Sequence, residues 1–132
     1  MSQRKTRVGV VSWSDEAIVD FHLNEFELKQ DVLTVKQVSH KIQEHLKQCL
    51  YLFSYIQAIS FVKYIGGRTN TVSALRRIRQ EMLTSAAGDR PDVTNYLYVI
   101  TDGNSNIEPE ETVREATRLR REGTYIVTVS VG

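Results

Sequence analysis

The most constraining stretch of this sequence is its last third, where two apolar runs flank one amphipathic segment. Tyr96 to Ile100 (Tyr-Leu-Tyr-Val-Ile) is a nearly continuous apolar run that stops at Thr101-Asp102-Gly103, the pattern of a buried strand ending in a sharp turn. Pro109 followed by Glu110 and Glu111 suits the first turn of a helix, where carboxylates meet the positive end of the helix dipole. Val113, Ala116 and Leu119 give that helix an apolar stripe, and Gly123 closes it. Thr124 to Val131 (Thr-Tyr-Ile-Val-Thr-Val-Ser-Val) is a further strand. Upstream, Asn70 to Leu83 repeats Val72, Leu75, Ile78, Met82 and Leu83 on one stripe, with Thr69 or Thr71 placed to cap it. The back half therefore reads helix, strand, helix, strand, with crossovers of parallel-sheet type, and an α/β three-layer domain follows.

The front half is less regular. Arg7 to Trp13 and Ala17 to Phe21 are short runs rich in β-branched residues, joined by Ser14, Asp15 and Glu16, and read as a hairpin. A helical pattern begins at Leu28, Val32 and Leu33, and Gly66 and Gly67 separate it from the next helix. Between them, Thr34 to Ile56 keeps a helical period through Val35, Val38, Ile42, Leu46, Cys49, Leu50 and Phe53. One helix from Glu25 to Tyr64 would run for about 40 residues and span about 60 Å, roughly twice the diameter of a small domain. That segment must bend, project, or be foreign to the fold.

Composition narrows the function classes. The chain has 132 residues, 41% hydrophobic and 25% charged, the profile of one globular domain. With 17 Lys plus Arg against 16 Asp plus Glu, the net charge of +1 sets up no field that would draw nucleic acid or anionic lipid. The lone Cys49 builds neither an intrachain disulfide nor a thiolate metal cluster. The N-terminus carries no apolar stretch of the signal-peptide kind, and no run reaches the roughly 20 apolar residues that cross a bilayer. His22, His40 and His45 have no spacing that places two ligands on one helical face. Arg76, Arg77, Arg79, Arg114, Arg118, Arg120 and Arg121 read as the wet faces of two helices. No Gly-x-Ser-x-Gly elbow supports hydrolase chemistry, and no catalytic residue is assigned.

Three blocks in order carry a family resemblance. Arg7 to Phe21 looks like the second strand and edge hairpin of the von Willebrand factor type A domain; Gly66 to Thr71 (Gly-Gly-Arg-Thr-Asn-Thr) looks like its glycine-threonine loop; and Thr101-Asp102-Gly103 follows an apolar strand about where that family has it. The chain so resembles the inserted domains of integrin α chains and the A-type repeats of matrilins and collagens. The resemblance implies a Rossmann-like, doubly wound, mainly parallel sheet with helices on both faces, an antiparallel edge hairpin, and truncation at both ends. It also implies an extracellular, non-enzymatic adhesion module of a larger multidomain protein, with matrix or cell-surface proteins as partners.

In that family a divalent cation, usually Mg²⁺, sits in a site built from an Asp-x-Ser-x-Ser loop, a threonine and a second aspartate. Thr69 matches the threonine and Asp102 the second aspartate. No Asp-x-Ser-x-Ser precedes Arg7, and Ser12-Trp13-Ser14-Asp15 has the wrong order and place. Thr69 and Asp102 are thus a remnant metal site of low expected occupancy, because one carboxylate and one hydroxyl do not strip Mg²⁺ of its hydration shell. Joining Leu33 to Gln57 restores a helix of the family's length, so the resemblance marks Thr34 to Ile56 as an atypical helical insertion or translated intron in a partial domain spanning 1–132. The rival reading takes Gly66 to Thr71 as the phosphate loop of a nucleotide-binding or phosphotransfer protein. Against it, the loop lacks a Gly-Lys-Ser/Thr ending and follows a helix rather than a strand.

Overall fold

The structure, a computed structural model, describes residues 6–25, 56–63, 65–103 and 105–130. The proposed insertion at 34–56 lies outside them apart from Ile56, as do His40, His45 and Cys49.

β1 (Val10–Trp13) and β2 (Ala17–Phe21) form the hairpin expected from the sequence, paired from Val10↔Phe21 to Trp13↔Ala17 with an irregularity between Val10 and Val11. Arg7 to Gly9 precede the strand rather than belonging to it. Phe21 is buried against Val8, Val10 and Ala58, the last from a helical turn at 56–60. The hairpin's open end is held by the turn near residue 88: Arg7 Nη1 donates to the Gly88 carbonyl (2.6 Å) and Asn24 Nδ2 to the Ala86 carbonyl (3.0 Å). Gly88 has φ +93°, and a Cβ there would lie 2.8 Å from the Asn24 backbone nitrogen, so the close approach requires glycine.

Helix α1 (Thr71–Arg77) buries Val72, Ala74 and Leu75. The sequence offered Thr69 or Thr71 as its cap; the structure uses Asn70, whose side-chain oxygen accepts from Ser73 N at 3.2 Å, while Thr71 is already helical. Ile78–Met82 continues the helix with π geometry, closed by Leu83 N donating to the Ile78 carbonyl (2.9 Å). The wider turn still leaves Met82 buried.

β3 (Asn95–Thr101), helix α2 (Pro109–Arg121) and β4 (Thr124–Ser130) realise the strand–helix–strand reading, and β3 and β4 are parallel, in unbroken register from Asn95↔Thr124 to Thr101↔Ser130. Pro109 sits in the first turn, and Gly123 turns the chain out of the helix at φ +92°. The stripe expected on α2 is corrected. Leu119 is fully buried, but Val113 is 66% exposed and Glu115, a charged residue, is 1% exposed in its place. On a helix of 3.6 residues per turn, Glu115 and Leu119 share a face that Val113 does not.

One further expectation is corrected. The sequence treated β3 as a strand buried on both sides, yet Tyr96, Tyr98 and Ile100 are exposed and alternate with half-buried Leu97 and Val99. The expected α/β order of strands and helices, with a parallel pair, is present. The described residues make two separate two-stranded sheets, β1–β2 and β3–β4, that share no ladder. One helical layer joins them: α1 packs against β1, β2 and α2, and α2 packs against β4. No helix among the described residues is long and apolar enough to cross a membrane.

Candidate functional site

Three loops meet at one end of the molecule. The first is the hairpin turn Ser14–Asp15–Glu16, the second runs from residue 65 to Asn70 into α1, and the third follows β3 to α2. Asn70 ties the first two together: its backbone N–H donates to the Ser14 carbonyl (2.8 Å) and its side-chain Nδ2 to the Asp15 carbonyl (2.7 Å). Arg68 Nε bonds Asp15 Oδ1 at 2.7 Å. Gly67 has φ +135°, and a Cβ there would stand 2.6 Å from Asp15 Oδ2, so only glycine lets the loop lie this close to the turn.

Asn106 ties the second loop to the third. Its side-chain oxygen accepts from Thr69 N (3.0 Å), and its own N–H donates to the Thr69 carbonyl (3.2 Å). Ser105 reinforces the contact, its hydroxyl donating to the Ile107 carbonyl (3.0 Å) and meeting Thr112 Oγ1 at 3.1 Å. At the end of β3, Thr101 Oγ1 donates to the Gly103 carbonyl (2.9 Å), which folds the chain sharply at Asp102. Thr69 and Asp102 thus stand on neighbouring loops. The side chain of Asp102 is exposed, and neither it nor the Thr69 hydroxyl has a partner among the described residues.

Their fit to a divalent cation can be tested on these contacts. Asp15, the other carboxylate at the loop cluster, is engaged by Arg68. Among the described residues no three His, Cys, Asp or Glu side chains converge. One free carboxylate and one hydroxyl fall short of the oxygen shell that a hard dication needs, so the described residues do not fit Mg²⁺.

Behind the loops, Arg114, Arg118, Arg120 and Arg121 are exposed as expected of wet faces, but Arg76, Arg79 and Arg118 also enclose Glu115. Arg79 Nε lies 3.0 Å from Glu115 Oε2, Arg118 bonds Oε1, and Arg76 Nε stands 3.8 Å away while Arg76 Nη2 reaches Glu108 (3.6 Å) and Glu111 (3.7 Å). Burial alone would raise the Glu115 pKa, but the hydrogen bonds and charges of Arg79 and Arg118 outweigh it and hold the carboxyl below its ordinary value. The cluster locks α1 to α2 and so fixes the second loop against the third. Beside it opens a recess of about 490 Å³, lined by Asp15, Asn70, Ser73, Arg76 and Glu108 among others. Within its lining Arg76 pairs with Glu108 and Arg77 with Glu81.

Sequence reasoning missed Asn70, Asn106 and Glu115. Asn70 was legible in principle as an asparagine directly before a helical stripe. Nothing in the sequence distinguishes Asn106 or Glu115 from ordinary loop and helix-surface residues.

A threonine loop and an aspartate loop clasped at the strand ends of an α/β core are features of an adhesion-type domain, and comparison with known proteins agrees. The chain belongs to the von Willebrand factor type A domain family, which it matches over residues 37–132. It is similar to the collagen alpha-1(XX) chain of Mus musculus, 28% identical over 118 residues, covering 89% of this chain and 7% of that one. It is also similar to integrin alpha-2 of Mus musculus, 29% identical over 104 residues, covering 78% of this chain and 7% of that one. Among solved structures it is similar to proximal thread matrix protein 1 from the mussel byssus with a zinc-occupied MIDAS motif, with TM-score 0.66 and 25% identity, covering 96% of this chain and 26% of that one. The chain thus spans a small part of the length of these relatives.

Proposed function

We propose that this chain is an extracellular protein-binding module of the adhesion type, with matrix or cell-surface proteins as its partners, and that its binding does not depend on a divalent cation. The observation that carries this reading is the loop cluster: the family's threonine and aspartate loops are clasped together, yet Thr69 and Asp102 contribute a single unpaired carboxylate because Arg68 engages Asp15. Thr69 and Asp102 are read as the remnant of a metal site that a family-type Asp-x-Ser-x-Ser loop would complete. The relatives are a collagen and an integrin chain, which supports the extracellular setting, membership of a larger multidomain protein and the absence of enzymatic activity.

The nucleotide-binding alternative is disfavoured by the loop's own hydrogen bonds. The amides of Thr69 and Asn70 are spent on Asn106 and Ser14, and Ser73 N on the Asn70 cap, so these three N–H groups are not free to bind a phosphate.

Calorimetric titration tests the reading. Mg²⁺ or Mn²⁺ up to about 1 mM should give no binding heat, given how reluctantly Mg²⁺ dehydrates. Retention on immobilised collagen should be the same with Mg²⁺ and with EDTA. Saturable binding of Mg²⁺ that Asp102→Ala abolishes, or collagen retention lost in EDTA, overturns it.

A further inference from the structure

Five aspartates lie among the described residues, and Asp102 differs from the others in two ways that bear on its covalent chemistry. The first is its successor. Asp15, Asp20, Asp89 and Asp92 are followed by Glu16, Phe21, Arg90 and Val93, each with a Cβ that crowds its own amide nitrogen, whereas Asp102 is followed by Gly103. A Cβ built on Gly103 would meet nothing within 4 Å, so the space beside this peptide bond is open. The second is its bonding. Arg68 engages Asp15, Ser12 Oγ donates to Asp20 Oδ1 at 3.3 Å and Asn95 Nδ2 donates to Asp89 Oδ1 at 3.0 Å, while the Asp102 carboxylate has no such bond among the described residues.

We propose that Asp102–Gly103 is a site of spontaneous isomerisation to isoaspartate, and that the Thr101 hydroxyl sets its rate. The reaction needs only the chain and water. The Gly103 amide nitrogen attacks Asp102 Cγ; the N–Cγ bond forms, the Cγ–OH bond of the protonated carboxyl breaks, and the hydroxyl leaves with the amide proton as water. This closes a five-membered succinimide. Water then adds to one of the two ring carbonyls. Opening at Cγ restores aspartate, whereas opening at the main-chain carbonyl leaves the chain running through Cβ and Cγ, with the free carboxylate on Cα. The mass is unchanged over the two steps and the main chain is one carbon longer. The clasp at the end of β3 restrains the nucleophile. Gly103 N donates to Thr101 Oγ1 at 3.2 Å and the same hydroxyl donates to the Gly103 carbonyl at 2.9 Å, so both polar groups of the glycine are tied to the residue before Asp102. The nitrogen turns onto Cγ only when the first of these bonds opens, and the rate therefore follows local opening of the turn. Isoaspartate places one more atom between Thr101 and Gly103, so the clasp does not re-form as it was. A completed metal site would lose its second aspartate in this way as the chain ages; that consequence rests on the reading of Asp102 as a remnant ligand, and the isomerisation itself does not.

Prolonged incubation of the full chain at neutral pH tests this, read by transfer of a labelled methyl group from S-adenosylmethionine by isoaspartyl methyltransferase and by peptide mapping. Label should accumulate in a second chromatographic peak of unchanged mass, and fragmentation should locate it at Asp102 and not at the other four aspartates. Gly103→Ala meets no obstacle in the fold and should slow the accumulation several-fold. Asp102→Glu, whose extra methylene would demand a six-membered ring, should remove the label. Thr101→Val deletes the clasp and should speed the accumulation several-fold, while Thr101→Ser keeps the hydroxyl and should stay close to the natural rate. Absence of isoaspartate at Asp102, its appearance at the other aspartates at an equal rate, or a rate indifferent to Gly103→Ala overturns the proposal. Thr101→Val no faster than Thr101→Ser overturns the role of the clasp. No metal enters this measurement, so its failure is distinct from failure of the Mg²⁺ titration.

Discussion

The hairpin β1–β2 and the parallel pair β3–β4 draw on similar residues and end in different surroundings. In the hairpin, Ala17 and Phe21 are buried, one near α1, whose Ser73 hydroxyl accepts from Ala17 N at 3.3 Å, the other beneath Val8, Val10 and Ala58. In the parallel pair no residue of β3 is buried and Thr124 alone is buried in β4. Apolarity lets a strand be covered; a neighbouring element decides whether it is. Helix α1 reaches both strands of the hairpin and α2 besides, whereas β3–β4 has α2 on one side and nothing described on the other. The stability of the parallel pair therefore rests on how firmly α2 is seated, and substitutions can show whether that is so.

Leu119→Ala should have the largest effect. Leu119 is the most deeply buried side chain of α2, and its truncation should cost about 3 kcal/mol in urea-induced unfolding. A loss below about 1 kcal/mol would mean that α2 is loosely placed and that the parallel pair is supported in some other way.

Glu115→Ala comes next. It strands Arg79, whose side chain is 22% exposed, and Arg118, which is 53% exposed. Because both reach water once released, the loss should be about 2 kcal/mol rather than the 3–5 kcal/mol of a fully buried pair. The pH dependence has a defined sign. The folded pKa of Glu115 is depressed, so the stability it contributes is fully present above the ordinary carboxylate value, about 4.3, and is lost as pH falls through the lower folded value. Unfolding midpoints taken from neutral pH into this acidic range should fall for the natural chain, and in Glu115→Gln the part due to this group should vanish. An unaltered acid profile in Glu115→Gln would remove the cluster from the account of how α2 is held.

This cluster also marks the boundary of what the sequence reveals. Strand–helix–strand order, the hairpin and the loops carrying Thr69 and Asp102 were legible because each has a local signal: an apolar run, a helical period, a glycine or proline at an end. What covers which face was not. Val113, Ala116 and Leu119 form a plausible stripe by spacing, and nothing local says that Arg79, 36 residues from Glu115 in sequence, will let a carboxylate displace Val113 from the interior. The Asn106 clasp on Thr69 escaped for the same reason, being a contact between loops 37 residues apart. Tyr96, Tyr98 and Ile100 read as buried because a run of apolar residues fits a strand covered on both faces, and the pattern cannot report whether the second cover is present.

Asn70→Ala should cost about 1 kcal/mol, the usual worth of an N-cap, since it removes the acceptor for Ser73 N and the tie to the Asp15 carbonyl. Thr71→Ala should cost nothing and stay within about 0.5 kcal/mol of the natural chain, because Thr71 lies inside the helix, where alanine is the better helix former. The contrast between the two separates the observed cap from the threonine cap expected from sequence, and equal losses would reverse the assignment.

The smallest effect is expected at Val113, the residue on which pattern and structure disagree most directly. As part of an apolar stripe, Val113→Lys would bury a charge and cost several kcal/mol. With its side chain two-thirds exposed, the same change places an ammonium group in water on a residue type that favours helix more than valine does. The unfolding free energy should therefore stay within about 0.5 kcal/mol of the natural chain, the range of ordinary surface substitutions. Chemical denaturation of the two proteins side by side decides the matter. A loss above about 2 kcal/mol would mean that Val113 is covered in solution, and the outer face of α2 would then be a surface that something else must bury.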